Sequence, residues 1–206
     1  MKYLILGTAL IFSVHLHAQH SLTKLWATDS VLAVPESVLY DAAGKFLFVS
    51  LIDGDYNKKD GKGEIAKVAL DGKIINGSWV GGLNAPKGMG RYKNLLYVAD
   101  LDEIVVIDIA SAAIKQRIPV TGAKFLNDVT IDKSGAVYVS DSETGKVHLL
   151  KGGKVSDYLD GLKGPNGLLA DGGKLYVLAS GELLEYGPNK KSTTLASGLN
   201  TSTDGI

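Results

Sequence analysis

Four stretches of this chain repeat one pattern at a spacing of about 40 residues. Such a period restricts the fold more than any local propensity does. Each stretch opens on a turn holding Pro or Asn and runs on as a short apolar strand. It then turns at Asp-x-x-Gly or a variant, and returns as an aromatic-rich strand. The openings are Pro35-Glu36-Ser37, Pro86-Lys87-Gly88, Leu126-Asn127-Asp128 and Pro165-Asn166-Gly167. The aromatic returns are 46–50, 95–100, 137–141 and 175–178. Lys87 to Asn127 is 40 positions, Asn127 to Asn166 is 39, and Asn166 to Asp204, in a fifth opening, is 38. Glu36 to Lys87 is 51, and the excess falls in residues 53–63.

Further strands are expected at 64–70, 104–108, 146–150 and 182–186, each followed by a Gly-containing turn and a last strand. No segment sustains a helical period. Four antiparallel strands per 40 residues describe one blade of a β-propeller. The fold class is therefore all-β, a propeller with about four blades plus a stub. We expect it to be part of a six-bladed ring, C-terminally truncated; a closed four-bladed ring is the alternative.

Residues 1–18 stand apart. Lys2 precedes a mostly apolar run at 3–16, and Ala18 offers a small residue at its end. This reads as a signal peptide, with an N-terminal membrane anchor as the alternative. The propeller domain is then 19–206, exported to the periplasm or the extracellular space, with no membrane attachment after cleavage. Cysteine is absent, which excludes disulfides, thiolate metal sites and cysteine nucleophiles. Lys+Arg and Asp+Glu are both 22, and no basic stripe favours nucleic acid as a partner.

In a propeller the innermost strands start at one mouth of the channel, so equivalent residues of successive blades converge on the axis. Here these are Glu36, Lys87, Asn127, Asn166 and Asp204. Carboxylates and amides meeting on an axis suit one hard divalent cation, Ca²⁺ or Mg²⁺ before Zn²⁺ or Mn²⁺. Without a cation the carboxylates would repel and raise one another's pKa. The plainer reading is that Asn and Asp are good turn residues. Lys87 is either a charge partner for a small-molecule substrate or a solvated turn residue.

Other features carry less. The run Asp53 to Glu64 has calcium-loop spacing, but Lys58 stands where the sharp turn needs Gly, so it reads as a solvated loop that could serve as a lid. His148 is expected on a blade surface. Asp100 and Asp141 are expected to cap inter-blade turns. No G-x-S-x-G elbow supports a serine hydrolase.

The openings Pro35-Glu36, Leu126-Asn127-Asp128, Pro165-Asn166-Gly167 and Thr203-Asp204-Gly205 resemble those of the SMP-30/gluconolactonase/LRE-like (regucalcin-like) family, over roughly residues 30–206. The resemblance implies a six-bladed propeller, often a lactonase with one central divalent metal. Carried over by position, it implies Glu36, Asn166 and Asp204 as metal ligands, Asn127 as a substrate-binding amide and Asp204 as the catalytic base. Ca²⁺ is then the first choice of metal. Phe125 departs from the pattern, because sugar lactonases of the family place an arginine two residues before this asparagine. The expected function is metal-dependent lactone or ester hydrolysis. The alternative is a non-catalytic exported propeller that binds a small molecule or a protein.

Overall fold

The structure is a computed structural model that describes residues 23–201 and 204–206. The stretch read as a signal peptide lies outside the described residues. Sixteen strands form four antiparallel sheets of four, each ordered as in the sequence. The first sheet holds β1 (Pro35–Asp41), β2 (Phe46–Leu51), β3 (Gly63–Ala69) and β4 (Ile74–Leu83). The second holds β5 (Pro86–Tyr92), β6 (Leu95–Asp100), β7 (Glu103–Asp108) and β8 (Ala113–Pro119). The third holds β9 (Leu126–Ile131), β10 (Val137–Asp141), β11 (Lys146–Lys151) and β12 (Lys154–Leu159). The fourth holds β13 (Pro165–Asp171), β14 (Lys174–Ala179), β15 (Glu182–Tyr186) and β16 (Ser192–Ala196). These are four blades of a β-propeller. Their innermost strands β1, β5, β9 and β13 pack successively against one another.

The repeat pattern explains the stacking. Alternate residues of a strand face opposite sides, and in the second strands of the first three blades an aromatic side chain points at the next blade. Phe48 belongs to the core between the first two blades, Tyr97 packs on the second interface, and Tyr138 packs on the third. The intervening aliphatics face backward: Leu96 and Val98 fill the first interface, Val137 and Val139 the second, Leu175 and Val177 the third. On the first blade's other face, Trp26 and Leu32 of the preceding segment line a groove with Leu47, Val49 and Val68. Burial of these aliphatics contributes about 1.5–3 kcal/mol for each large side chain.

Turn chemistry accounts for the hairpins. Asp132 accepts the Ser134 and Ala136 amides at 2.8 and 3.0 Å, while Gly135 takes φ +86°, a left-handed conformation open to glycine at no steric cost. The recurring aspartates cap the inter-blade turns as expected. Asp100 accepts the amides of Asn84 (2.9 Å) and Ala85 (2.8 Å), and Asp141 those of Lys124 (3.0 Å) and Phe125 (3.1 Å). Both carboxylates are fully buried. Each one therefore fixes the segment that delivers the innermost strand of its own blade, β5 for Asp100 and β9 for Asp141. Among the described residues no helix is long and apolar enough to cross a membrane.

Candidate functional site in the channel mouth

A register shift recurs at the start of every innermost strand, and it creates the site. In β1, Pro35 pairs with Leu51 and Ser37 with Ser50, which leaves Glu36 without a partner. In β5 the shift spans Lys87 and Gly88, in β9 Asn127 and Asp128, and in β13 Asn166 and Gly167. Bulges of this kind free residues from the ladder and re-aim their side chains. The amides that lose ladder partners are rescued locally. Ser50 Oγ accepts the Ser37 amide at 3.0 Å, and Ser140 Oγ accepts the Asp128 amide at 2.9 Å. The serines that end the aromatic strands therefore serve the bulges.

Glu36, Gly88, Asn127, Asp128, Asp204 and Gly205 line one cleft of about 240 Å³. Three carboxylates thus share a small space. Asp128 was not singled out in the sequence, and it does two things. Its Oδ2 accepts the Leu168 amide of β13 at 2.7 Å, and its charge faces the cleft. Thr130 repeats the tie with the Ala170 amide at 2.9 Å. Asn127 donates from Nδ2 to Ser142 Oγ at 3.1 Å, and that hydroxyl donates to the Pro165 carbonyl at 2.7 Å. Asn166 is not among the residues lining the cleft. Its Oδ1 is buried without a hydrogen-bond partner, while Gly167 beside it packs against Gly205.

The charges are poorly neutralised. Burial, then repulsion from Asp204, raises the Glu36 carboxyl to about 7; Lys87 opposes this, and Asp128 adds to the rise. Burial raises Asp128 to about 6, against the Leu168 and Val129 amides that favour its charged form, with Asp204 adding to the rise. Burial lowers Lys87, against the attraction of Glu36 and Asp100. Among the described residues no three His, Cys, Asp or Glu side chains form a metal cage of their own. The expected ligand set draws on an amide as well.

This electrostatic strain has a measurable sign. Glu36 and Asp128 hold their protons more tightly folded than unfolded, so they support folding while protonated. That support is lost as pH rises through about 6 to 7. After solvent screening at the open cleft, the loss is about 2 kcal/mol. Melting in chelator is expected at a Tm about 6 °C lower at pH 8 than at pH 5. A Tm that rises over this interval would contradict the assignment.

Lys87 is no solvated turn residue: it is 2% exposed. Its ammonium donates to the carbonyls of Ala85 (3.0 Å) and Tyr56 (3.3 Å) and lies 4.4 Å from the Phe125 ring centroid. The loop at 53–63 supplies this cover. Tyr56 meets Phe125 edge-on at 6.3 Å, and Lys59 pairs with Asp102 at 2.7 Å. Exposed pairs of this type contribute at most about 1 kcal/mol, a weak latch. His148 also departs from its expected place. It is 2% exposed, with Nδ1 3.0 Å from Asp157 and Nε2 3.6 Å from Asp141. It pairs with Val139 in the ladder and occupies the level that buried Val105 fills one blade earlier, where a position between packed blades has no solvent side.

No family model matches the chain, and no curated protein sequence matches it. Solved structures do, as β-propellers. A chain of the nidogen/laminin complex aligns with TM-score 0.67 at 19% identity, over 85% of this chain and 68% of that one. Virginiamycin B lyase from Staphylococcus aureus aligns with TM-score 0.62 at 14% identity, over 86% of this chain and 61% of that one. The extracellular domain of a putative hybrid two component system from B. thetaiotaomicron aligns with TM-score 0.59 at 19% identity, over 80% of this chain. The chain spans 61% of the lyase's length and 24% of that extracellular domain's. At these identities the likeness establishes the architecture alone.

Proposed function

We propose that this is an exported, divalent-cation-dependent hydrolase of lactone or ester type, of the SMP-30/gluconolactonase kind. The observation that carries it is the meeting of Glu36, Asp128 and Asp204 in one cleft, with two of the carboxyls raised toward neutrality. Two partly buried carboxylates and an exposed one, left to repel one another, fit a bound cation. The orphaned Asn166 Oδ1 is an oxygen donor in want of a partner. Glu36 and Asp204, both in the cleft, would hold the ion, and Asn166, outside the cleft's lining, would have to turn its Oδ1 toward it; Ca²⁺ comes first, with Zn²⁺, Mg²⁺ or Mn²⁺ as alternatives.

A bound divalent cation supplies Lewis-acid polarisation of the ester carbonyl. The chain's own groups do the rest. Asp204, exposed at the mouth, takes the proton of the attacking water. Asn127 keeps a second amide N–H for the substrate, and the Ser142–Pro165 relay fixes its orientation. The bulges hold Glu36 and Asn127 on rigid strands, so little reorganisation is needed there as charge develops.

Phe125 favours a second reading, a non-catalytic propeller that binds a small molecule or protein. It occupies the arginine's position of the resembling lactonases and closes over Lys87. Calorimetric titration of the full chain with Ca²⁺, followed by a lactone panel with and without EDTA, separates the two. The hydrolase reading expects one cation per chain and turnover that EDTA abolishes and Ca²⁺ restores. Cation binding without turnover favours the binder; turnover indifferent to EDTA removes the metal from the reading.

A further inference from the structure

We propose that Lys87 anchors a carboxylate group of the ligand, which enters the channel mouth by displacing the carbonyl of Tyr56. A fully buried ammonium is costly unless an anion or several hydrogen bonds compensate it. Lys87 has no ion-pair partner among the described residues, and two backbone carbonyls and one ring face are its near contacts. An ammonium carries three N–H donors, so one is left over. Glu36 and Asp100 act on it only through their charge. The weaker of its two hydrogen bonds, 3.3 Å to Tyr56, comes from the loop at 53–63. That loop is held over Lys87 by the Lys59–Asp102 pair and by one edge-on ring contact.

A carboxylate arriving here replaces one carbonyl with a full negative charge, a stronger, charge-assisted bond. The half-buried Phe125 and the exposed Tyr56 then offer ring faces to the part of the ligand next to the carboxylate. The cleft's own carboxylates repel a ligand that is anionic throughout. The class selected is thus a small molecule with a single carboxylate beside an apolar or aromatic group. For the reacting bond this rests on the hydrolase reading, which would make the substrate an ester or lactone bearing such a group. Binding at Lys87 does not rest on it.

The test titrates the full chain, in EDTA, with sodium benzoate and with benzamide, its neutral analogue. Saturable benzoate binding is expected, at least tenfold tighter than benzamide. Lys87→Met should weaken benzoate at least tenfold, and Lys87→Arg should retain it. Benzamide binding as well as benzoate, absence of saturable benzoate binding, or a folded Lys87→Met variant that binds like the parent would overturn the proposal. Where Lys87→Met does not fold, the benzoate–benzamide comparison on the parent decides alone. Chelator keeps the outcome separate from the cation: benzoate binding without lactone turnover ends the hydrolase reading and leaves the subsite. Turnover without benzoate binding does the reverse.

Discussion

Alanine at Gly88 is expected to destabilise the protein by about 3 kcal/mol, the upper end for overpacking, and to lower its Tm by about 9 °C. A Cβ there would sit 2.5 Å from Asp128 Oδ1, 2.6 Å from Asp128 Cα and 2.8 Å from the Asn127 carbonyl. Two of these are backbone atoms on the neighbouring innermost strand, and neither can swing aside. The strain has to be relieved by pushing β5 away from β9, which opens the core around Ile104, Leu126 and Val129. The same displacement spoils the cleft, because Gly88, Asn127 and Asp128 all line it. Ca²⁺ binding should be lost along with stability. Gly77 makes the control, since a Cβ there meets nothing closer than 3.8 Å. Thermal melts and Ca²⁺ titrations of both variants are the measurements. A Gly88→Ala protein that melts with the parent would mean that β5 and β9 are not packed as described.

Alanine at Asp204 is expected to leave the melting temperature nearly unchanged and, on the hydrolase proposal, to lower kcat/KM for a lactone at least about a thousandfold. The contrast is the point. Asp204 is exposed and accepts the Gly205 amide beside it at 3.0 Å, so little of the fold leans on it. Its charge, however, is the second largest cause of the raised Glu36 carboxyl and also pushes on Asp128. Cation affinity should weaken in the variant. In the cation-free protein, the Glu36 midpoint should fall from about 7 toward its ordinary 4.5, as carbon-13 NMR of the carboxyl can read. Retained hydrolysis would reject Asp204 as the base. An unmoved Glu36 midpoint would reject the shared cleft itself, whatever the activity.

The blades were legible because their signals are local. A strand that alternates, an aspartate that caps a turn and a glycine at positive φ are each written in a few adjacent residues. The resulting strands at 104–108 and 146–150 match β7 and β11 to within a residue at each end. The bulges were not legible, and they decide the site. Strict alternation lets only one of Asn127 and Asp128 face the channel. A bulge that sets both against Ser140 suspends that rule, so Asp128 joins Asn127 in the cleft. Lys87 was ambiguous for a different reason. Its burial depends on Phe125 from the next blade and on a loop from the previous one, contacts that no reading of residues 86–88 contains. His148 could have been found. Set against its repeat partner Val105, it stands where a side chain is sealed between sheets, and its two carboxylate neighbours follow from that.

Asp128 limits how this protein can be redesigned. Its carboxylate reads the charge in the cleft and, through the Leu168 amide, ties β9 to β13. An engineer who neutralises it to retune the pocket also loosens the seam between two blades. Substitutions meant to change ligand preference belong instead at Phe125 and Tyr56, whose side chains can be exchanged without cutting a tie between strands.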